Sequence, residues 1–324
     1  MVTQSLQTPT TAAPAVEPGD LTPSTLDMPA FLMNVPFSLS TEAPNNPWME
    51  ELSVEERSID RRRAIVQFRQ LYRHIASEAL VYLLPAPGRC GLQDLVYTAN
   101  LGVALEHQPH QGTVVISNFT SEPRRGETAV GLAFFQAMGY PTYVSPRKFE
   151  GDADLKHLRD NVYIGGYGIR SEAEGYVWME ERFDMRVIKV RLVDPYLYHL
   201  DCSVFPITRE DTLVCTELFD SEEIAQIERH TNIIPVSPDV CYSGICNSLR
   251  FHNSILNASH LHTLKAGTKE YAEEIAKNRE LEDIAARLAL DVSYFNLSEY
   301  LKSGALLSCM VMHLNRFSYA MSLL

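Results

Sequence analysis

From Phe31 onward, short apolar runs rich in β-branched residues alternate with longer stretches that are apolar on one side only. The short runs are "AFLMNV", "ALVYLL", "LVYTA", "TVVISNF", "PTYVS", "NVYIGG", "RVIKVRLV", "DCSVFPI", "TLVCTEL", "TNIIPVS", "NSILNAS", "DVSYFNL" and "LLSCMVMHL", and their length and composition predict strands. Helices are predicted over 53–77, 127–138, 171–183, 221–230 and 268–288. In the first of these, Ala64, Ile65, Phe68, Leu71, Tyr72 and Ile75 recur at the spacing of one helical face, and Ser53 with Glu56 reads as a capping box. Strands and helices interleaved along the whole chain predict an α/β architecture. With no Pro/Gly-rich linker to divide it, residues 29–324 are expected to form a single domain.

The first 28 residues, "MVTQSLQTPTTAAPAVEPGDLTPSTLDM", have no hydrophobic period, so a disordered tail is expected there. They also lack the basic and apolar regions of a secretory signal, and no run approaches the roughly 18 to 20 apolar residues of a membrane span. A soluble, cytoplasmic protein is the expectation. A net charge of −13 argues against nucleic acid, whose phosphates call for a basic face. Six cysteines scattered through a chain of 324 residues make neither a disulfide framework nor a zinc site.

Cys309 lies in "SGALLSCMVMHL", where a cysteine is ordinarily a small hydrophobe and less often a nucleophile. His199, in "DPYLYHLDCSVFP", reads either as a structural histidine or as a general acid/base with Asp201 as its orienting group. Glu150, Asp152 and Asp154 fall within "FEGDAD", which is either a solvated turn or a carboxylate cluster for a cation. Asp94 and Asn100 flank the apolar run of "GLQDLVYTANLG". "YIGGYGIR" lacks the strand, GxGxxG and helix arrangement of a nucleotide site. A thiol, an imidazole, several carboxylates and arginines for a substrate carboxylate together suit a guanidinium, whose poorly electrophilic carbon needs a thiolate to attack it.

The ordered series "NNPWM", "DLVYTANLG", "SNFTSEPRRGE", "FEGDAD", "GGYGIR", "YHLDCSVFP" and "SGALLSCMVMHL", spanning 31–314, resembles the guanidino-group-modifying, or pentein, superfamily of arginine deiminases, dimethylarginine dimethylaminohydrolases, arginine dihydrolases and amidinotransferases. The resemblance implies a five-bladed α/β propeller of ββαβ units around a central pore. It implies Cys309 as nucleophile and His199 as acid and then base, with Glu150, Asp94 and Asp154 on the guanidinium nitrogens. Arg170 matches an arginine that binds the substrate's carboxylate, while Asn46 and Asn100 match asparagines of the arginine-dihydrolase branch. Two positions depart from that branch: Asn118 stands where an arginine is expected near the substrate's amino-acid end, and the glycine pair before the cysteine is Gly304-Ala305.

The function so implied is hydrolysis of the guanidino group of arginine or a substituted arginine through a covalent thiouronium, with no metal or organic cofactor. Two alternatives stay open: an amidinotransferase using the same intermediate, and a non-catalytic binding module. The expected partner is a small guanidino compound, with neither nucleic acid nor membrane, and self-association is left open.

Overall fold

The computed structural model describes residues 22–85, 91–108 and 112–320. Its strands form five three-stranded sheets with one repeated topology. In each, the central strand pairs antiparallel with one neighbour and parallel with the other. The parallel connection requires a crossover, and in every sheet a helix supplies it.

The second sheet shows the unit plainly. β3 (Gly102–Ala104) runs antiparallel to β4 (Val114–Ile116), and the helix Glu127–Ala137 returns the chain to β5 (Thr142–Val144), parallel to β4. The third sheet repeats it with β6 (Leu155–Arg159), β7 (Val162–Tyr167), the helix Ala173–Phe183 and β8 (Arg186–Arg191). The fourth uses β9 (Val204–Pro206), β10 (Asp211–Val214), the helix Ser221–Glu228 and β11 (Asn232–Pro235). The fifth uses β12 (Leu249–Phe251), β13 (Ser254–Ala258), the helix Lys269–Arg287 and β14 (Asp291–Phe295). The first sheet closes the ring: β1 (Ala30–Met33) reaches β2 (Leu80–Leu83) through the helix Arg61–Ile75, and its antiparallel neighbour is β15 (Met312–His313), from the other end of the chain. This is the five-bladed α/β propeller.

Apolar helix faces fill the space over each sheet. Tyr176, Met179 and Phe183 of the third crossover helix pack with Phe149, Leu155 and Tyr163, each fully buried ring or chain contributing about 2 kcal/mol. No helix among the described residues is long and apolar enough to cross a membrane.

Three expectations differ from what forms. The segment 53–77 is two helices: the Ser53–Glu56 capping box stands, but it starts the single turn Val54–Arg57, and Asp60 caps a new helix, Arg61–Ile75. Its buried face is Ala64, Gln67, Phe68, Leu71 and Ile75, so Ile65, a hundred degrees round from Ala64, is left exposed. "LVYTA" makes no strand. Leu95, Val96, Tyr97 and Ala99 are buried without alternation, and their backbone closes into turns such as Tyr97 N–H to the Asp94 carbonyl, ending in the 3-10 turn Thr98–Asn100. "LLSCMVMHL" likewise is mostly the 3-10 turn Ser308–Met310, with only Met312 and His313 in a ladder. Within the segment expected to be disordered, residues 1–21 lie outside the described residues, as does Cys90, whereas Ser24 donates to the Leu314 carbonyl and Asn315 to the carbonyls of Pro23 and Met28.

Short turns lead into the first strand of the blades: Thr98–Asn100 before β3, Gly151–Ala153 before β6, Leu200–Cys202 before β9 and Ser308–Met310 before β15. Two of them touch directly. Gly151 has φ +69°, and a Cβ there would stand 2.5 Å from the Ala99 carbonyl oxygen. Gly151→Ala should therefore destabilise the protein by about 2 kcal/mol or more, from strain and displaced backbone together. Urea unfolding at equilibrium measures this, and an unchanged midpoint would refute the close packing of the two turns.

Candidate active site

Beside these turns lies a small cavity of about 20 Å³ lined by Asn45, Asn46, Asp94, Tyr97, Asn100, Arg124, Arg170, Tyr198, His199, Ser303, Ala305 and Cys309.

Behind the cavity wall the Glu150 carboxylate, wholly buried, accepts from His199 Nε2 at 2.8 Å and from the Thr120 N–H at 3.1 Å, with Arg170 at 3.9 Å. Burial alone would raise this carboxyl; the His199 hydrogen bond and the nearby cations outweigh it and hold the group at about 2. The same Nε2 lies 3.3 Å from Asn100 Nδ2. With a hydrogen on Nε2 the ring donates to Glu150, and without one that nitrogen accepts from Asn100. Among the described residues nothing bonds Nδ1, which leaves it for a ligand.

Cys309 is buried, and its sulfur lies 3.8 Å from Asp201 Oδ2 and 3.4 Å from Asn247 Nδ2. Burial first, and the Asp201 carboxylate second, push the thiol up to about 12. Both effects favour the neutral thiol over the thiolate. Cys202, Cys215 and Cys241 are also pushed up, the first chiefly by burial, the second chiefly by its hydrogen bond with Cys241, and the third, against the opposing bond with Cys215, by Cys246 and burial.

Asp94 accepts from Asn45 Nδ2 at 2.7 Å and Gln93 Nε2 at 3.2 Å, and burial raises it. Asn46 caps the turn Pro47–Glu51 by accepting the Met49 N–H, and its Nδ2 donates to the Ser303 carbonyl at 3.0 Å. Arg170 stacks on the Tyr198 ring at 4.8 Å and donates to the Asn45 carbonyl. Of the sequence-derived candidates, Asn46, Asp94, Asn100, Arg170, His199 and Cys309 thus share one cavity wall, with Glu150 directly behind His199.

The other two sit differently. Asp154 is buried one layer back, where it accepts from Ser171 Oγ at 2.6 Å and the Leu200 N–H at 3.1 Å, and burial raises it to about 6. Asn118 is absent from the cavity wall: its amide donates to the Ser145 carbonyl and accepts from Lys148 Nζ at 3.2 Å. Asp201 does not orient His199. Its carboxylate accepts from Ser308 Oγ at 2.7 Å and faces the Cys309 sulfur; the residue that orients His199 is Glu150. The acidic cluster of "FEGDAD" is divided, since Asp152 turns away to Arg316, His313 and Lys156. Among the described residues no group of His, Cys, Asp and Glu is arranged to hold a metal ion.

Sequence reasoning passed over Tyr97, Arg124, Tyr198 and Ser303, all on the wall, and Asn247 behind the sulfur. Arg124 sits inside the quoted "SNFTSEPRRGE" and forms a buried pair with Glu127 at 2.8 Å, which gave it a findable signal. Asn247 had none.

The sequence model of the eukaryotic N,N dimethylarginine dimethylhydrolase family matches residues 34–316. The bifunctional arginine dihydrolase/ornithine cyclodeaminase AgrE of Nostoc sp. is 27% identical over 288 residues, which are 87% of this chain and 37% of that protein. ArgZ of Synechocystis sp., of the same description, is 29% identical over 286 residues, again 87% and 37%. The chain thus spans little more than a third of the length of these curated relatives. The solved N-terminal domain of ArgZ, an arginine dihydrolase bound to its product, superposes with a TM-score of 0.75 at 27% identity, covering 89% of this chain and 97% of that one. The same domain has been solved as a cysteine-to-serine variant bound to substrate and as an asparagine-to-serine variant covalently bound to a reaction intermediate. This chain belongs to the N,N dimethylarginine dimethylhydrolase family, within the pentein superfamily of guanidino-modifying proteins.

Proposed function

We propose that the protein is a cysteine-dependent hydrolase of the guanidino group of arginine or a substituted arginine. The observation that carries this is one cavity in which the buried Cys309 sulfur faces Asp201 on one side and His199, backed by Glu150, stands in the wall. A site rich in buried carboxylate with a protonated nucleophile is completed by a cation. A guanidinium seated there offsets the Asp201 charge and makes the thiolate accessible.

Cys309 gives its proton to His199, and the thiolate Sγ then forms a bond to the guanidinium carbon. The C–N bond breaks as His199 gives its proton to the departing nitrogen, which leaves as ammonia from arginine or as an amine from a substituted arginine. Water attacks the resulting thiouronium, His199 takes the water's proton, and the C–S bond breaks to restore the thiolate and release the ureido product. Glu150 holds His199 through both steps. Asp94 and Asn100 meet the guanidinium from the wall, Arg170 and Asn46 lie toward the amino-acid end, and Asp154 positions the turn that carries His199 through the Leu200 N–H. Asn118, tied to Lys148 and the Ser145 carbonyl, stands off the cavity wall and does not act on substrate directly. Support comes from the relatives described as arginine dihydrolases and from the covalent intermediate in one of them.

Incubation with arginine and with methylated, hydroxylated and decarboxylated analogues, followed by mass spectrometry, should show the corresponding ureido product (citrulline from arginine), or, after a second hydrolysis of that product, ornithine with ammonia and carbon dioxide, formed without any acceptor amine. Cys309→Ala should lower that turnover by roughly three orders of magnitude. Product that appears only when an amine acceptor is added would establish amidino transfer instead, and no turnover of any guanidino compound would leave the binding-module reading.

A second expectation follows from the cause of the raised thiol. Alkylation of Cys309 in the free protein should climb about tenfold per pH unit through the mildly alkaline range, because only the thiolate reacts. Asp201→Asn removes the charge that helps raise the thiol, so its curve should lie at lower pH, and a bound guanidino compound should protect Cys309. Superimposable curves for the two proteins would show that Asp201 has no hold on the sulfur.

A further inference from the structure

Four blades place a residue beside the cavity just ahead of their first strand: Asn100 before β3, Glu150 before β6, His199 before β9 and Cys309 before β15. The remaining blade begins at β12, Leu249, and the residue in the corresponding place is Asn247. It is 3% exposed. Its Oδ1 accepts the Ser308 N–H at 2.9 Å, and its Nδ2 donates to the Cys309 sulfur at 3.4 Å. One amide therefore grips both the backbone of the nucleophile's turn and the nucleophile's own atom.

That amide is itself held. The segment 244–248 folds on itself through the Asn247 N–H to the Gly244 carbonyl, with Gly244 at φ +85°, and through the Ser248 N–H to the Cys246 carbonyl. Asn257 of β13, wholly buried, donates its Nδ2 to the Gly244 carbonyl at 2.9 Å and to Ser248 Oγ at 2.8 Å. Its Oδ1 accepts from Lys277 Nζ at 3.0 Å, and that lysine, also wholly buried, donates further to the Ala258 carbonyl and to Glu274. A buried lysine is tolerated only when its donors are satisfied, and here one of its partners, Asn257, braces the loop that carries Asn247.

We propose that Asn247 is a positioning residue for the nucleophile, holding the Cys309 turn by its carbonyl oxygen and stabilising the sulfur as thiolate by its amide hydrogen. The proposal rests on Cys309 being the nucleophile of the hydrolase proposed above. A thiol is a weak acceptor and a thiolate a charged one, so the same N–H gains strength as the proton leaves. The sulfur is thereby set between a donor that favours its ionisation and the Asp201 carboxylate that opposes it. The other ionisable groups that face it are Lys156, Tyr97, Tyr198 and Cys202.

Two substitutions separate the halves of this role. Asn247→Asp keeps an oxygen for the Ser308 N–H but loses the donor and adds charge, whereas Asn247→Ala loses both contacts and adds none. The readout is the pH dependence of iodoacetamide labelling of Cys309, followed by peptide mapping, which needs no substrate. At pH 8, labelling should fall about tenfold in Asn247→Ala and further in Asn247→Asp, with kcat lowered and KM little changed in both. A purely structural clamp predicts the reverse order, with Asn247→Asp close to wild type, and that result, or labelling curves that coincide with wild type, overturns the proposal. If thermal unfolding shows Asn247→Asp not to fold, Asn247→Ser, which shortens the donor without burying charge, carries the same comparison. Shifted labelling curves in a protein that turns over no guanidino compound would uphold the hold on Cys309 and overturn only the proposed reaction.

Discussion

Glu150 is a carboxylate with no access to water, and the molecule is arranged around making that tolerable. A carboxyl buried alone would protonate. Here the Thr120 N–H comes from the segment after β4, Arg170 from the turn after β7, and His199 from the approach to β9, so the three groups that keep Glu150 ionised belong to three successive blades. The blades must close around the pore before the charge is compensated, and the same closure assembles the cavity wall. Folding and site formation are in this sense one event: the Gly151 backbone pressed against Ala99 and Gly102 is the contact that sets the distance between two of the blades.

The compensation is local and incomplete. Arg124 and Glu127 neutralise each other at 2.8 Å and act as a strut beneath Phe119 and Tyr97. Asp94, Asp154 and Asp201 have no such matched partner. The first two hydrogen-bond only neutral donors and are raised by burial, against the pull of Arg124 and Arg170 on Asp94 and of His199 on Asp154, and the third faces a thiol it raises in turn. Carboxylates gathered around one cavity favour a cationic ligand over an apolar or anionic one, and a cation beside Asp201 would ease ionisation of the Cys309 thiol.

Much of this was legible in the sequence, and the remainder shows where sequence patterns stop. The crossover helices were readable because each is a helix-length run of eight or more residues without proline; 127–138 against Glu127–Ala137 and 268–288 against Lys269–Arg287 differ only at the caps. The fivefold repeat was not, since most of the strands are three or four residues long and one blade is assembled from residues 30–33, 80–83 and 312–313. "LVYTA" has strand composition, yet it lies where the pore is buried on all sides and no neighbouring strand is available, so turns satisfy its backbone. Candidates lodged in motifs, such as His199, Glu150 and Arg170, could be named before any coordinates. Asn247 could not: "GICNSL" looks like an ordinary loop, and its meaning lies in a bond to a sulfur 62 residues away. For Asp201 the residue was noticed and its partner mistaken, because adjacency to His199 in sequence says nothing of which way a side chain points from a 3-10 turn.

The departure at Gly304-Ala305 resolves into two separate requirements. Gly304 has φ +73°, and a Cβ there would lie 2.7 Å from Asn46 Oδ1. That oxygen already caps the helix Pro47–Glu51 through the Met49 N–H, while the Asn46 amide nitrogen reaches the Ser303 carbonyl. The glycine is thus imposed by how closely the "NNPWM" segment docks against the loop ahead of the nucleophile. Ala305 has no such constraint: its φ is not in the left-handed region, and its side chain lines the cavity. Replacing a second glycine by alanine there leaves the loop's path open and adds a methyl group to the wall between Asn46 and Cys309. The change acts on the volume offered to a substrate beside the sulfur, and not on the conformation that presents it.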